Sequence, residues 1–213
     1  MADIINLNKK RKAKQRLEKE KQASENRIKF GRTKKEKLLA KQENERNQRH
    51  LDGHQLEKDI KIAYLKEYPE VIPTLAKIWH EVLGSIWIAD VGIEQIEQGF
   101  YDELNDSTLP LTFIALKGSQ VIGAISLHKH DEIKPDLTPW LESLVVDKTY
   151  QNQGVGKMLI EKIRQKARDL DFKKLYLFAF TPALVNYYAQ FGFKLMGIDR
   201  FKEQEVSLME LML

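Results

Sequence analysis

A mixed α/β fold, one central sheet flanked by helices and preceded by a basic helical arm, is what this 213-residue sequence predicts. Three observations carry that reading. Residues 1–57 are dominated by charge and show few apolar positions, whereas strand-like and helix-like periodicities alternate from Ile60 onward. The alternation runs strand, two helices, three strands, helix, strand, helix, two strands. Finally, Gln151-Asn152-Gln153-Gly154-Val155-Gly156 joins an apolar strand-like segment, Leu141 to Val146, to a helix with one apolar face.

The arm comes first. Residues 1–57 hold 17 Lys/Arg against 9 Asp/Glu, and the remainder holds 18 against 22, so a net charge of +4 conceals two halves of opposite sign. From Lys9 to Lys29 the residues favour helix, with Lys14/Glu18, Arg16/Glu20 and Glu25/Lys29 four apart on one face. Phe30-Gly31 interrupts this pattern. Thr33 and Glu36 have capping-box spacing for a second helix to about Arg49, which Leu51-Asp52-Gly53 ends. A helix that buries so little is marginal alone, so the expectation is an arm that orders on contact with something else. The division expected is an arm over 1–57 and a folded domain over 58–213.

Within that domain Ile60, Ile62 and Tyr64 alternate as in a half-buried strand. Leu75, Ile78, Trp79, Val82 and Leu83 recur at helical spacing after Pro73, as do Ile93, Ile96, Phe100 and Leu104 after Gly92. Leu111–Leu116 and Val121–Leu127 are β-rich runs around a hairpin turn at Lys117-Gly118-Ser119-Gln120. Past the glycine turn, Val155, Leu159, Ile163 and Ala167 line one helix face, and Leu175–Phe180 is a short apolar strand. Thr181-Pro182 reads as an N-cap and first helical position, with Gly192 past the end of that helix. Phe193–Met196 and Val206–Met212 complete the strands.

Composition excludes some chemistry. With no cysteine there is no disulfide, thiolate nucleophile or cysteine-ligated metal centre. No apolar run reaches the roughly 18 residues of a membrane span and no signal-type stretch opens the chain, so a cytoplasmic address is expected.

A glycine turn between strand and helix exposes successive backbone N–H groups beside the positive end of the helix dipole, which suits a pyrophosphate. The order of elements, Gln-x-x-Gly-x-Gly after the fourth strand, and Tyr188-Ala189-Gln190-Phe191-Gly192-Phe193 before the sixth together resemble the GNAT superfamily of acetyl-CoA-dependent N-acyltransferases over about Ile60 to Leu213. Asp136-Leu137-Thr138-Pro139-Trp140-Leu141 also looks like a bacterial subgroup of it. Met1-Ala2-Asp3-Ile4-Ile5-Asn6-Leu7, Phe30-Gly31-Arg32-Thr33-Lys34 and His50-Leu51-Asp52-Gly53-His54 resemble a separate family of short bacterial proteins of unknown function, which implies a fusion joined near Glu57.

The resemblance to the acyltransferases implies a co-substrate, acetyl-CoA, and a set of roles. Its pyrophosphate would be held by backbone groups of Gln151, Asn152, Gln153, Gly154, Val155, Gly156 and Lys157, with the Lys157 ammonium as an added contact. Leu144 and Val146 would pair with the pantetheine arm through their backbones, and the Val146 N–H would stabilise the oxyanion. Tyr188 stands where many members carry a phenol that protonates the departing thiolate, the alternative being an aromatic packed under the sheet. Glu142 is the candidate base, the alternatives being an ion-paired glutamate or deprotonation through water. The strand period puts Trp140, Glu142, Leu144 and Val146 on one face, and apolar neighbours would raise the Glu142 pKa.

Other residues carry less. His80 beside Trp79 reads as packed or surface, the alternative being an acceptor-site base. His128, His130, Asp131 and Glu132 resemble a metal site only superficially, and no metal is expected. Trp79, Trp87 and Phe100 could line an acceptor pocket or belong to the core. The function expected is acetyl transfer to an amine, small or on a protein, by direct transfer in a ternary complex. The competing class is a non-catalytic acyl-CoA-binding module that the basic arm tethers to nucleic acid or the ribosome, although Phe30 is almost its sole aromatic.

Overall fold

The computed structural model describes residues 7–30, 38–39, 41, 59–87, 91–131, 134–201 and 204–213. The chain separates into two compact units, Met1–Leu51 and Asp52–Leu213. In the first, helix α1 (Leu7–Phe30) forms where its charged, helix-favouring residues predict it, and its side chains from Arg11 to Asn26 are exposed. Arg16 Nε lies 3.5 Å from Glu20 Oε1, the one-turn spacing read from the sequence. The expected second arm helix, apart from residues 38, 39 and 41, and the expected join near Glu57 lie outside the described residues.

The second unit is a seven-stranded mixed sheet in the order β1-β2-β3-β4-β5-β7-β6. Its strands are β1 (Ile60–Tyr64), β2 (Leu111–Lys117), β3 (Gln120–His128), β4 (Trp140–Val146), β5 (Lys174–Ala179), β6 (Lys194–Phe201) and β7 (Gln204–Met212). Helices α2 (Ile72–Trp87) and α3 (Ile93–Asp102) follow β1, α4 (Val155–Asp169) follows β4, and α5 (Pro182–Ala189) follows β5. Every neighbouring pair is antiparallel except β4 and β5. The hairpin between β2 and β3 turns at Gly118, whose φ of 60° belongs to the left-handed region that glycine tolerates.

The sheet is covered on both faces. Val155, Leu159, Ile160, Ile163 and Ala167 of α4 are at most 1% exposed and pack on one face with Phe113, Ile125, Leu141 and Tyr188. On the other, Leu75, Ala76 and Ile78 of α2 and Ile96 and Phe100 of α3 pack on Ile114, Ala124 and Val145. The apolar stripe of α4 recurs at helical spacing because its charged residues occupy the solvent side. Leu159→Ala removes a fully buried side chain from the centre of that stripe, and about 3 kcal/mol of stability is expected to go with it. A urea midpoint unchanged from wild type would contradict this packing.

Candidate active site

The strands that frame the site come apart at its centre. β4 and β5 share a single bridge pair, Trp140 with Tyr176, and the Tyr176 N–H donates to the Pro139 carbonyl at 3.0 Å. Trp140 anchors that end: it is fully buried, stacks on Phe178 at 4.8 Å between ring centroids, and donates from Nε1 to the Leu137 carbonyl at 2.8 Å. Beyond it the β4 edge facing β5 has no strand partner, so backbone groups there are available to an extended ligand. Asp147 donates to the Ile122 carbonyl of β3 at 2.9 Å. By the alternation of strand hydrogen bonds, the N–H of Val146 therefore points away from β3, towards the split.

A bulge redirects the side chains of β4. Glu142 pairs with Ser126 and Val145 with Ala124, so β4 spends one residue more than β3 over this interval, and Ser143 takes a φ of 51°. The expectation that Trp140, Glu142, Leu144 and Val146 share a face therefore fails. Glu142 and Val145 share the face covered by α2 and α3, while Leu144 and Val146 pack with the opposite core. The extra residue inverts the alternation from Ser143 onward.

The glycine turn follows. Gly154 adopts a φ of 91° at the N-cap of α4, and Asn152 a φ of 59°. Met158 N–H donates to the Gly154 carbonyl at 3.1 Å, which places Val155, Gly156 and Lys157 in the first turn of α4, where backbone N–H groups have no partner within the helix. A groove of ≈ 500 Å³ lies against the turn, lined by Asn152, Gly154, Gly156, Lys157, Arg164 and Tyr187 among others. Backbone donors, a helix N-terminus and two cationic side chains make this groove chemically suited to a diphosphate. The Val146 carbonyl is already taken, since it accepts from the Gln151 side chain at 3.0 Å. Of the backbone groups expected to pair with a ligand at Val146, the N–H is the one without a protein acceptor.

A smaller cavity of ≈ 70 Å³ opens at the split, and its walls include Asp131, Glu142, Ser143, Leu144 and Tyr188. The structure thus brings Glu142, Leu144 and Tyr188 together. Thr181 caps α5 by accepting from the Leu184 N–H at 3.3 Å, Pro182 opens the helix, and the chain leaves it at Gly192 with φ 91°. This short helix presents Tyr188, 7% exposed, towards the cavity while its ring packs edge-on to Phe193. Burial, with the adjacent Tyr187 adding to it, pushes the Tyr188 phenol well above its ordinary 10.0. It is a proton donor throughout the usual pH range.

Glu142 lines the cavity with Leu83, Leu144 and Phe178, and it also faces a charged network that the sequence did not reveal. Its Oε2 lies 3.7 Å from His128 Nδ1, and the other imidazole nitrogen, Nε2, is 2.9 Å from Glu103 Oε1. Glu103, 7% exposed, also accepts from the hydroxyls of Thr112 and, at 2.7 Å, Ser126. His130 engages elsewhere, with Nδ1 3.1 Å from the Pro135 carbonyl, so the two histidines do not converge. Among the described residues no group of three or more His, Cys, Asp or Glu is placed to hold a metal.

Sequence reasoning missed Glu103, Tyr187 and Arg164. Thr112 and Ser126 were a usable signal for the first: two hydroxyls inside otherwise apolar strands demand a buried polar partner. Of the remaining candidates, Phe100 is core at 3% exposed and His80 is exposed. Trp79 packs against the α2/α3 core and donates from Nε1 to Ser143 Oγ at 3.2 Å, which ties α2 to the bulge. The Trp87 side chain lies outside the described residues.

The site is a sheet split beside a glycine turn, with an ionisable cavity at the fork. Solved structures share the overall fold. A GCN5-related N-acetyltransferase from Kribbella flavida superposes with a TM-score of 0.61 at 12% identity, over 74% of this chain and 99% of that one. The yncA protein of Salmonella typhimurium, solved with its cofactor acetyl-CoA, gives 0.59 at 14% identity, over 73% of this chain and 94% of that one. At these identities the likeness is one of fold. In sequence, the chain is 30% identical over 86 residues to the "Probable spermine N(1)-acetyltransferase" of Bacillus subtilis subsp. natto (strain BEST195), a match covering 39% of this chain. It spans 57% of the length of that relative. The profile of the acetyltransferase (GNAT) family matches residues 75–193, more than half of the chain, and a domain of unknown function, DUF4169, matches residues 2–56. The chain belongs to the acetyltransferase (GNAT) family.

Proposed function

We propose that the chain moves an acetyl group from acetyl-CoA to a cationic amine by direct transfer between two bound substrates. The observation that carries this reading is the fork between β4 and β5, where the unpaired edge of β4 leads from the glycine turn to a cavity walled by Glu142 and Tyr188. Backbone N–H groups of Gln151–Lys157, with Lys157 and Arg164, hold the pyrophosphate. The edge of β4 at Leu144 and Val146 aligns the pantetheine arm as an added strand, and the Val146 N–H is the donor for negative charge developing on the thioester oxygen. Glu142 takes a proton from the acceptor ammonium, and Tyr188 gives one to the sulfur as it leaves. Holding amine and thioester in one cavity removes much of the entropic cost of their encounter.

Two carboxylates on the cavity wall, Asp131 and Glu142, favour a cationic acceptor, in keeping with the polyamine named for the Bacillus subtilis relative. The arm is a separate module under this reading, spanning 1–57, and its cations serve to hold the enzyme near polyanions in the cytoplasm. Nothing in α1 favours a purely binding role for the domain over 58–213. The test is thiol release from acetyl-CoA with spermine as the amine probe, run on the full chain and on residues 58–213. Amine-dependent release at the same rate from both is expected, while retention on immobilised RNA at low salt is lost on truncation. No release above the amine-free rate would refute the transferase reading, and lost turnover on truncation would refute the separate role of the arm.

A further inference from the structure

The buried glutamate beside His128 gives two strand hydroxyls their partner with one oxygen and faces the imidazole with the other. Glu103 leaves the end of α3 and enters the sheet from the α2/α3 side, where its Oε2 accepts from two hydroxyls on adjacent strands, Thr112 of β2 and Ser126 of β3. Those two hydroxyls also lie 2.7 Å apart, and their two protons hold the carboxylate against both strands. Its remaining oxygen, Oε1, faces His128 Nε2 at 2.9 Å, which makes Nε2 the proton-bearing nitrogen. Nδ1 is then the nitrogen with a lone pair, and it faces Glu142 Oε2 at 3.7 Å. A shift of about 1 Å brings that pair within hydrogen-bonding range. The line of groups runs from the cavity through Glu142 and His128 to Glu103.

We propose that His128, oriented by Glu103, is a positioning residue acting through Glu142: it receives from Glu142 the proton taken off the acceptor ammonium. The inference rests on the acyl transfer and the Glu142 base proposed above. The N–H bond of the ammonium breaks, its electron pair stays on nitrogen as the nucleophile, and an O–H bond forms on Glu142. That O–H then breaks as a bond forms to His128 Nδ1, leaving an imidazolium between two carboxylates and restoring Glu142 as the anion. His128 is partly exposed, so the proton leaves to solvent between turnovers. A lone glutamate would keep the proton facing the cavity, where the product amide and the next ammonium must sit. Passing it to the imidazole separates the two.

The charge environment fits. Burial draws the His128 imidazole down, but the hydrogen bond to Glu103 and the negative charges of Glu142, Glu103 and Asp131 outweigh it, so the net displacement is upward from 6.5. Among the described residues, these three carboxylates are the charged groups that act on the ring, from the end of α3, from β4 and from the segment after β3. The relay needs Nδ1 unprotonated. Turnover at saturating spermine should therefore rise with pH along a limb centred above 6.5.

The experiment is the pH profile of kcat for the full chain with acetyl-CoA and spermine, in wild type, His128→Gln and Glu103→Gln. His128→Gln is expected to lower kcat about 10- to 100-fold at pH 8 and to abolish the limb, with KM for acetyl-CoA unchanged. Glu103→Gln removes one counter-charge, and the limb should move to lower pH. Because either variant could fold poorly, the His128 titration is also followed by NMR in the wild-type chain and in Glu142→Gln, where loss of the facing carboxylate should lower the midpoint. A wild-type limb retained in His128→Gln, or an imidazole midpoint indifferent to Glu142→Gln, overturns the relay and leaves the transferase reading standing. Absence of transfer from the wild type at every pH overturns both.

Discussion

Gly156→Val is expected to weaken acetyl-CoA binding by roughly 100-fold or more, the equivalent of two charge-assisted hydrogen bonds lost from the turn. The reason is space, not backbone conformation. A Cβ at position 156 would stand 2.5 Å from the Tyr187 hydroxyl, closer than real contacts allow, and 4.0 Å from Val146 Cγ2. The Tyr187 ring meets Tyr188 at 5.4 Å and Phe191 at 5.1 Å edge-on while it lines the groove, so either the turn shifts with its N–H groups or the phenol swings into the space that the diphosphate needs. Titration calorimetry with acetyl-CoA measures the effect directly, and thermal melting checks that the fold persists. Gly156→Ala should show a milder form of the same loss, partly relieved when Tyr187→Phe is added to remove the clashing oxygen. Unchanged affinity in Gly156→Val would mean that the groove beside α4 is not where the diphosphate sits.

The parts of this site readable from the chain are the ones encoded locally. Gly154 and Gly156 announce a turn that needs bare backbone, and Thr181-Pro182 with Gly192 brackets the helix carrying Tyr188, all within a few residues of the geometry they determine. Element order was legible for the same reason, since each helix and strand writes its own period. What could not be read depends on one residue out of step or on contacts between distant segments. The bulge at Ser143 adds one residue to β4, and period-two reasoning then assigns Leu144 and Val146 to the wrong side. Glu103 meets Ser126 and His128 across 23 and 25 residues of chain, and Tyr187 meets Gly156 across 31. Periodicity says nothing of such encounters. Thr112 and Ser126 came nearest to revealing one, because a hydroxyl at a fully buried strand position needs a partner that the strand itself does not supply.

Tyr188→Phe should cost turnover about 10²- to 10⁴-fold with little change in acetyl-CoA affinity, the signature of a proton donated only as the thiolate departs. The substitution isolates the hydroxyl, because phenylalanine keeps the ring that packs on Phe193 and so preserves the buried end of α5. The pH dependence separates this residue from the glutamates. A phenol donates only while protonated, and burial with the neighbouring Tyr187 raises the Tyr188 pKa above 10.0, so its ionisation takes no activity away below that pH. The His128 limb, by contrast, gains activity as pH rises. Wild-type kcat is therefore expected to climb above pH 6.5 and then hold level towards pH 10, and Tyr188→Phe should scale that whole curve down without moving its midpoint. Stopped-flow or steady-state measurement of thiol release across this range decides it. Full turnover in Tyr188→Phe would return the residue to the core and leave the thiolate to depart unprotonated, a demand that water at the mouth of the ≈ 70 Å³ cavity would then have to meet.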